Sequence, residues 1–159
     1  MPETVYTSTV RINHLRVPYN QAMLPAESEP VLFGVHGRIA EHYRITPDMA
    51  TPRAATLDYI VASAGGCLTG TFGGMLAARK VSFGPGGLSA DVRGEIEREE
   101  DNVLVIKRIH VVYHLATTGE DWEKVDRAYG LHANKCPVYR SLTPGITITT
   151  ELDWCELTV

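Results

Sequence analysis

Hydrophobic and polar residues alternate most regularly in the middle of the chain, between residues 88 and 115. Over residues 88–97, Leu88, Ala90, Val92 and Ile96 alternate with polar or charged neighbours. A second alternating stretch covers residues 103–115, where Val105, Ile109, Val111, Tyr113 and Leu115 share one face. The polar residues 99–102 between the two stretches are typical of a turn. The pattern predicts an antiparallel hairpin with one buried face.

Shorter patterns predict further strands on both sides of this hairpin. Residues 5–12 are β-branched and aromatic, residues 32–36 and 38–45 read as a strand pair, and residues 18–30 read as a proline-rich loop. After the hairpin, residues 146–154 read as a closing strand. These segments contribute the β part of the fold.

Helical patterns occupy three other stretches. In the first, over residues 56–78, Thr56 is a candidate N-cap and Asp58 lies in the first turn, where a carboxylate faces the positive end of the helix dipole. The second begins near Thr118, with an apolar stripe at residues 122, 125 and 129. The third covers residues 136–142 and has proline at its first position. Strands, long helix, hairpin, helices and strand in this order predict an α+β fold.

The first helix contains 19 consecutive uncharged residues, 60–78, which is the length of a membrane span. Five of them are glycine, so the free energy of membrane insertion would be weak. Ala62, Gly66, Gly70 and Gly74 recur every four positions and form one smooth stripe. Such a stripe allows another backbone to approach closely, either from the same chain or from a second copy. We therefore expect close helix packing and no membrane insertion.

Composition narrows the class of protein. The chain has 159 residues and a formal net charge of −4, without a basic run that could neutralise nucleic-acid phosphates. Its beginning does not resemble a signal peptide, and three cysteines are too few for a disulfide scaffold. We therefore expect a cytoplasmic protein that does not bind nucleic acid, in which the cysteines have a redox or catalytic use.

The three cysteines differ in context. Cys67 lies within the apolar helix, where a buried small side chain and a reactive thiol are both open interpretations. Cys136 follows Lys135 and begins a short helix, and both features favour the thiolate. Cys155 lies on the outward face of the last strand and is expected to be incidental. Neither a Cys-x-x-Cys pair nor a phosphate-binding loop is present, so we expect neither a metal nor a cofactor.

Two motifs resemble the OsmC/Ohr family, the osmotically inducible and organic hydroperoxide resistance proteins. One is residues 52–71, where Ala55-Thr56-Leu57-Asp58-Tyr59 leads into Ala64-Gly65-Gly66-Cys67-Leu68. The other is Asn134-Lys135-Cys136-Pro137-Val138-Tyr139, followed by the closing strand. The resemblance extends over residues 30–157. It implies one OsmC-like domain over residues 1–159, with antiparallel sheets packed on a long central glycine-rich helix, and an intertwined homodimer.

The resemblance also implies a thiol-dependent peroxidase with its active sites at the subunit interface. Cys67 would attack the hydroperoxide and become a sulfenic acid, and Cys136 would resolve it to a disulfide. An external dithiol, from a lipoyl or thioredoxin-like protein, would then reduce the disulfide. The alternative is a non-catalytic OsmC-like protein that binds a hydrophobic or thiol ligand at the dimer interface.

Family members that reduce organic hydroperoxides use an arginine and a glutamate to polarise the attacking thiolate. Here Asp58 is the corresponding carboxylate, and helix-dipole stabilisation is an equally good role for it. Three arginines are candidates for the cation, namely Arg38, Arg44 and Arg53, and their spacing does not decide among them.

Overall fold

The structure is a computed structural model that describes residues 1–157. The chain forms two compact units, with the boundary between Tyr59 and Ile60. Each unit contains one three-stranded sheet. The expectation of a single domain over residues 1–159 stays a prediction.

The first unit is built on an antiparallel sheet. Its strands are β1 (Arg11–Arg16), β2 (Tyr19–Met23) and β3 (Val31–Phe33), in the order β1-β2-β3. Helix α1 (Gly37–His42) follows. All six residues of β1 are exposed. Tyr19 and Ala22 of β2 are buried.

Three sequence predictions for this unit are wrong, and the first two concern β1 and β2. The first strand begins at Arg11 and not at residue 5, because β2 ends at Met23, the pairing partner of Arg11. The predicted loop over residues 18–30 contains β2 itself.

The predicted strand over residues 38–45 is largely helix α1. Ala40 and Glu41 favour helix over strand, and the amides of Ile39 and Ala40 both donate to the carbonyl of His36. Arg44 then adopts a left-handed conformation with φ of 57°, which ends the helix.

Helix α2 (Thr56–Ala78) has 23 residues, and its start agrees closely with the prediction. The Asp58 carboxylate accepts a hydrogen bond from the Ala55 amide, at 2.7 Å, and so satisfies one of the unpaired N–H groups at the helix start. By length and composition alone α2 could span a membrane, since its most apolar window has a mean hydropathy of 1.4. Buried helices of soluble proteins pass the same test.

The second unit contains the predicted hairpin, which is confirmed. Strands β4 (Leu88–Arg98) and β5 (Leu104–Thr117) pair antiparallel, with a register shift between Glu95 and Ile96. Because of this shift Ile106, and not Val105 as predicted, occupies the buried position. The remaining predicted residues of that face of β5 are buried, namely Ile109, Val111, Tyr113 and Leu115.

The sheet is completed by β6 (Thr147–Glu156), which pairs with β5 in parallel. The expectation of purely antiparallel sheets is therefore wrong. The connection from β5 to β6 runs through α3 (Trp122–His132) and α4 (Pro137–Leu142). A crossover of this length returns the chain to the starting end of β5, from which only a parallel strand can follow. Thr118, a predicted cap, makes no side-chain capping hydrogen bond.

Helix α2, from Ile60 onward, and the sheet share a core within the second unit. Leu68, Phe72 and Leu76 of α2 are fully buried. A Cβ placed on Gly65 would lie 2.3 Å from Cγ2 of Val92, so only glycine fits there without displacement. The glycines of the predicted stripe differ in this respect. A Cβ on Gly66, Gly70 or Gly74 would meet no atom within 4 Å.

Candidate active site

Cys67 lies on α2 at the margin between the packed side of the helix and its open side. It is half-buried and carries a free thiol. Leu68, its neighbour, is fully buried, whereas Gly66 is exposed. The Thr71 hydroxyl donates to the Cys67 carbonyl at 2.8 Å. The thiol is thus held on a regular helix and remains partly accessible.

Cys136 is fully buried and caps helix α4. Its sulfur accepts a hydrogen bond from the Tyr139 amide at 3.4 Å, and Pro137 occupies the first helical turn. The predicted short helix with proline at its start is confirmed. The structure shows in addition that the thiol itself is the cap, in the position that serine or aspartate usually takes.

The structure brings the two thiols together although they are 69 positions apart in the sequence. The Cys67 side chain and the Thr71 hydroxyl both lie near enough to the Cys136 thiol to shift its pKa. Both cysteines are free. Their side chains are neighbours in the fold.

The pKa of Cys136 differs from the sequence expectation. Burial raises the pKa of the Cys136 thiol, and the neighbouring Cys67 side chain raises it further. The Tyr139 amide and the Thr71 hydroxyl act in the opposite direction without prevailing. The expectation that the helix start and Lys135 make Cys136 a ready thiolate is therefore wrong, because complete burial dominates.

An aromatic cluster fills the core behind Cys136. The rings of Phe72, Tyr113, Tyr129 and His132 pack with centroid distances of 5.0 to 6.3 Å. Burial lowers the pKa of His132 and raises that of Tyr113 well above its usual range. Both side chains are therefore neutral near pH 7.

Asp58 has partners within the first unit. One carboxylate oxygen accepts from the Ala55 amide and from Nε2 of His36, each at 2.7 Å. Both bonds hold the carboxylate at the start of α2. The geometry favours the helix-start role of Asp58. His36 was not predicted as its partner, because nothing in the sequence links positions 22 residues apart.

The three candidate arginines all belong to the first unit and are exposed. Arg38 is in α1, and Arg44 follows the end of that helix. Arg53 lies in an extended segment, with its amide bonded to the Val35 carbonyl. Their proposed role in polarising Cys67 stays a prediction.

In the part of the chain that the structure describes, neither the third cysteine nor a metal-ligand group forms a second reactive centre. Cys155 is exposed on β6, as predicted. Across residues 1–157 there is no group of three or more histidine, cysteine or acidic side chains that could hold a metal ion. Thr71 was overlooked in the sequence, although its position four residues after Cys67 places it one helical turn away.

These features define a class: an α+β protein in which a long glycine-rich helix and a short proline-started helix present two cysteines to each other. The sequence matches the family of OsmC-like proteins over residues 52–151, and the chain belongs to that family. This confirms the resemblance seen in the two cysteine motifs. A search of curated proteins finds no match.

Solved structures share the fold at low sequence identity. An OsmC-like protein of unknown function from Vibrio cholerae has a TM-score of 0.75 at 10% identity, covering 94% of this chain and 100% of that one. An OsmC-like protein from Mycoplasma pneumoniae gives 0.71 at 10% identity, covering 98% and 100%. The organic hydroperoxide resistance protein OhrB of Bacillus subtilis gives 0.64 at 14% identity, covering 94% and 100%.

Proposed function

We propose that this protein is a thiol-dependent peroxidase that reduces organic hydroperoxides in oxidative stress defence. The observation that carries the proposal is the contact between the half-buried Cys67 and the buried Cys136. Two cysteines far apart in the sequence come together here, and within residues 1–157 no metal-ligand set surrounds them. The membership of the OsmC-like family and the likeness to a hydroperoxide resistance protein support the same chemistry.

The roles of the two cysteines follow from their accessibility. The Cys67 thiolate attacks the terminal oxygen of the hydroperoxide, the O–O bond breaks, and the departing alkoxide takes up the proton that the thiol lost on ionising and leaves as the alcohol. Cys67 is now a sulfenic acid. Cys136 attacks its sulfur, the S–O bond breaks, and the departing hydroxide takes the thiol proton to form water. Because Cys136 is fully buried, an external hydroperoxide reaches it less readily than it reaches Cys67, and its thiol proton is available for the hydroxide that leaves in the second step.

A reductant must then restore the two thiols. An external dithiol, on a lipoyl or thioredoxin-like protein, exchanges with the Cys67–Cys136 disulfide and carries away its oxidised form. The accessible Cys67 sulfur is the point of attack. We place this cycle in the cytoplasm, where such dithiols keep protein thiols reduced, and it needs no cofactor bound to the protein.

We further propose that the active protein is an intertwined homodimer. Two surfaces support this: β1, which is exposed throughout, and the open face of α2, defined by Gly66, Gly70 and Gly74. A small-residue face on an apolar helix suits close packing against a second copy. Cys67 lies at the margin of this face, so a partner subunit would form one wall of the site.

A thiol titration tests the peroxidase proposal. In a Cys155→Ser background, the reduced protein is treated with one equivalent of cumene hydroperoxide, and free thiols are counted. We expect both remaining thiols to be lost as one intramolecular disulfide. Cys67→Ser should abolish the loss, whereas Cys136→Ser should lose one thiol and accumulate a dimedone-reactive sulfenic acid. A protein that keeps its thiols under this treatment is not a peroxidase.

A second function is favoured by the environment of Asp58. Its carboxylate binds His36 and the Ala55 amide, and thus serves the helix start rather than a thiolate. This is the arrangement expected of a non-catalytic OsmC-like protein that binds a hydrophobic or thiol ligand at the dimer interface. Retention of both thiols together with saturable binding of an apolar fluorescent probe would support it.

A further inference from the structure

The buried pair Tyr113 and His132 takes no part in the thiol chemistry described so far. Both side chains are fully buried. The Tyr113 hydroxyl hydrogen-bonds to His132 Nε2 at 2.8 Å, and His132 Nδ1 bonds to the Tyr129 carbonyl at 2.6 Å. A carbonyl can only accept, so Nδ1 carries the proton and Nε2 accepts from the tyrosine. Both ring nitrogens are satisfied, and the imidazole orientation is fixed.

This pair is joined to Cys136 through a short segment of backbone. His132 is the last residue of α3, and a single 3-10 turn, Ala133–Lys135, separates it from Cys136. The Cys136 amide donates to the Ala133 carbonyl at 3.1 Å. Tyr113 belongs to β5, the middle strand of its sheet. One side-chain hydrogen bond thus ties the turn that carries Cys136 to the most firmly paired strand of the unit.

The thiol itself has weaker anchors. Its backbone partner is the Tyr139 amide, at a sulfur–nitrogen distance of 3.4 Å. Sulfur is a weak acceptor, so this bond orients the side chain less firmly than an oxygen cap would. The position of the Cys136 sulfur opposite Cys67 therefore depends on how well the preceding turn is held.

We propose that Tyr113 and His132 are positioning residues for the resolving step, holding the Cys136 turn so that its sulfur faces Cys67. This rests on the proposed peroxidase function. A thiol fixed beside its partner reacts at a high effective concentration, and even a small displacement lowers the rate steeply. Loss of the hydrogen bond should slow disulfide formation and leave the attack of Cys67 on the hydroperoxide unchanged.

The chain offers matched variants for a test. Tyr113→Phe and His132→Asn remove the bond between the two side chains, whereas His132→Gln keeps an acceptor near the position of Nε2. The control is Tyr129→Phe: Tyr129 belongs to the same cluster, but its hydroxyl bonds to Thr150 on β6, at 3.1 Å. All four are made in the Cys155→Ser background.

The readouts are the rate of sulfenic acid formation, the rate of disulfide formation and the reduction potential of the disulfide. We expect Tyr113→Phe and His132→Asn to slow disulfide formation about tenfold and to make the potential less negative by about 30 mV, the equivalent of a tenfold change in equilibrium constant. Sulfenic acid formation should stay within about twofold of the parent. His132→Gln should recover most of the resolving rate, and Tyr129→Phe should behave like the parent.

Three results would overturn the inference: an unchanged resolving rate and potential in Tyr113→Phe, an equal loss in Tyr129→Phe, or His132→Gln behaving like His132→Asn. If the parent is not oxidised by hydroperoxide, the proposed function fails, and diamide decides the inference separately. Diamide accepts two electrons and two protons from the Cys67 and Cys136 thiols and becomes the hydrazine. A tenfold slower disulfide in Tyr113→Phe than in Tyr129→Phe would still support the positioning role, and equal rates would reject it.

Discussion

The two sides of helix α2 carry the same kind of residue for different reasons. On the sheet side, Gly65 lies against Val92, and a Cβ there would approach its methyl group to 2.3 Å. On the open side, Gly66, Gly70 and Gly74 have no atom within 4 Å of the Cβ position. Each glycine costs about 1 kcal/mol of helix stability relative to alanine. On the sheet side, the close contact with Val92 within the chain accounts for that cost. On the open side, only the packing of a second copy against the glycines would account for it.

The largest expected effect comes from filling the sheet side. Gly65→Leu forces a side chain into space that Val92 already occupies, and should lower the free energy of unfolding by about 3 kcal/mol. Urea denaturation followed by circular dichroism measures this. The matched control is Gly66→Leu at protein concentrations where the chain is monomeric. Equal stabilities for the two variants would show that the two sides of α2 do not differ.

Substitutions on the open side of α2 should change the dimer dissociation constant and not the folding stability. If two copies meet there, Gly70→Leu separates them and raises the dimer dissociation constant about a hundredfold, equivalent to ~2.8 kcal/mol. Sedimentation velocity over a dilution series measures the constant, with Gly70→Ala as the milder comparison. A wild-type protein that sediments as a monomer at every concentration would remove the dimer and leave the open glycines unexplained.

A smaller change in folding stability is expected from His114, on the sheet of the second unit. His114 bonds to Asp153 and Asp91, both at 2.9 Å, and these carboxylates raise its pKa. A raised folded-state pKa stabilises the protein fully below the unfolded value near 6.5 and is lost as pH rises through the folded value. Wild type should therefore lose a little stability above pH 6.5.

His114→Asn should lack this pH dependence, and chemical denaturation at several pH values compares the two. His132 affects folding stability in a different pH range. Its pKa is lowered in the folded protein, so it reduces stability only below pH 6.5. An identical pH dependence for His114→Asn and wild type above pH 6.5 would contradict the role given to the two carboxylates.

The sequence predicts the parts of this fold that depend on local pattern. Alternation over residues 88–115 identifies the hairpin, and the Cys136-Pro137 step identifies the start of α4, because both follow from near-neighbour physics. The parallel direction of β6 does not follow from near-neighbour physics, because it depends on where α3 and α4 return the chain. The helix at Gly37–His42 was missed because its alternation is short and resembles a strand.

The candidate site also has features that the sequence predicts and features that it does not. The pairing of Cys67 with Cys136 came from resemblance to a family and from no pattern in the residues themselves. The raised pKa of Cys136 was missed because burial is a tertiary property. His36, His132 and Tyr113 each have partners more than ten positions away or in another element, beyond the reach of helix or strand periodicity.

The distance in sequence between the two thiols has a consequence during synthesis. Cys136 is added 69 residues after Cys67, a delay of roughly 3–14 s at ordinary translation rates. Under the proposed chemistry, a nascent chain would carry Cys67 without its resolving partner during that interval. If Cys67 were oxidised in those seconds, no Cys136 thiol would be present to form the disulfide, and the sulfenic acid could advance to the irreversible sulfinic acid.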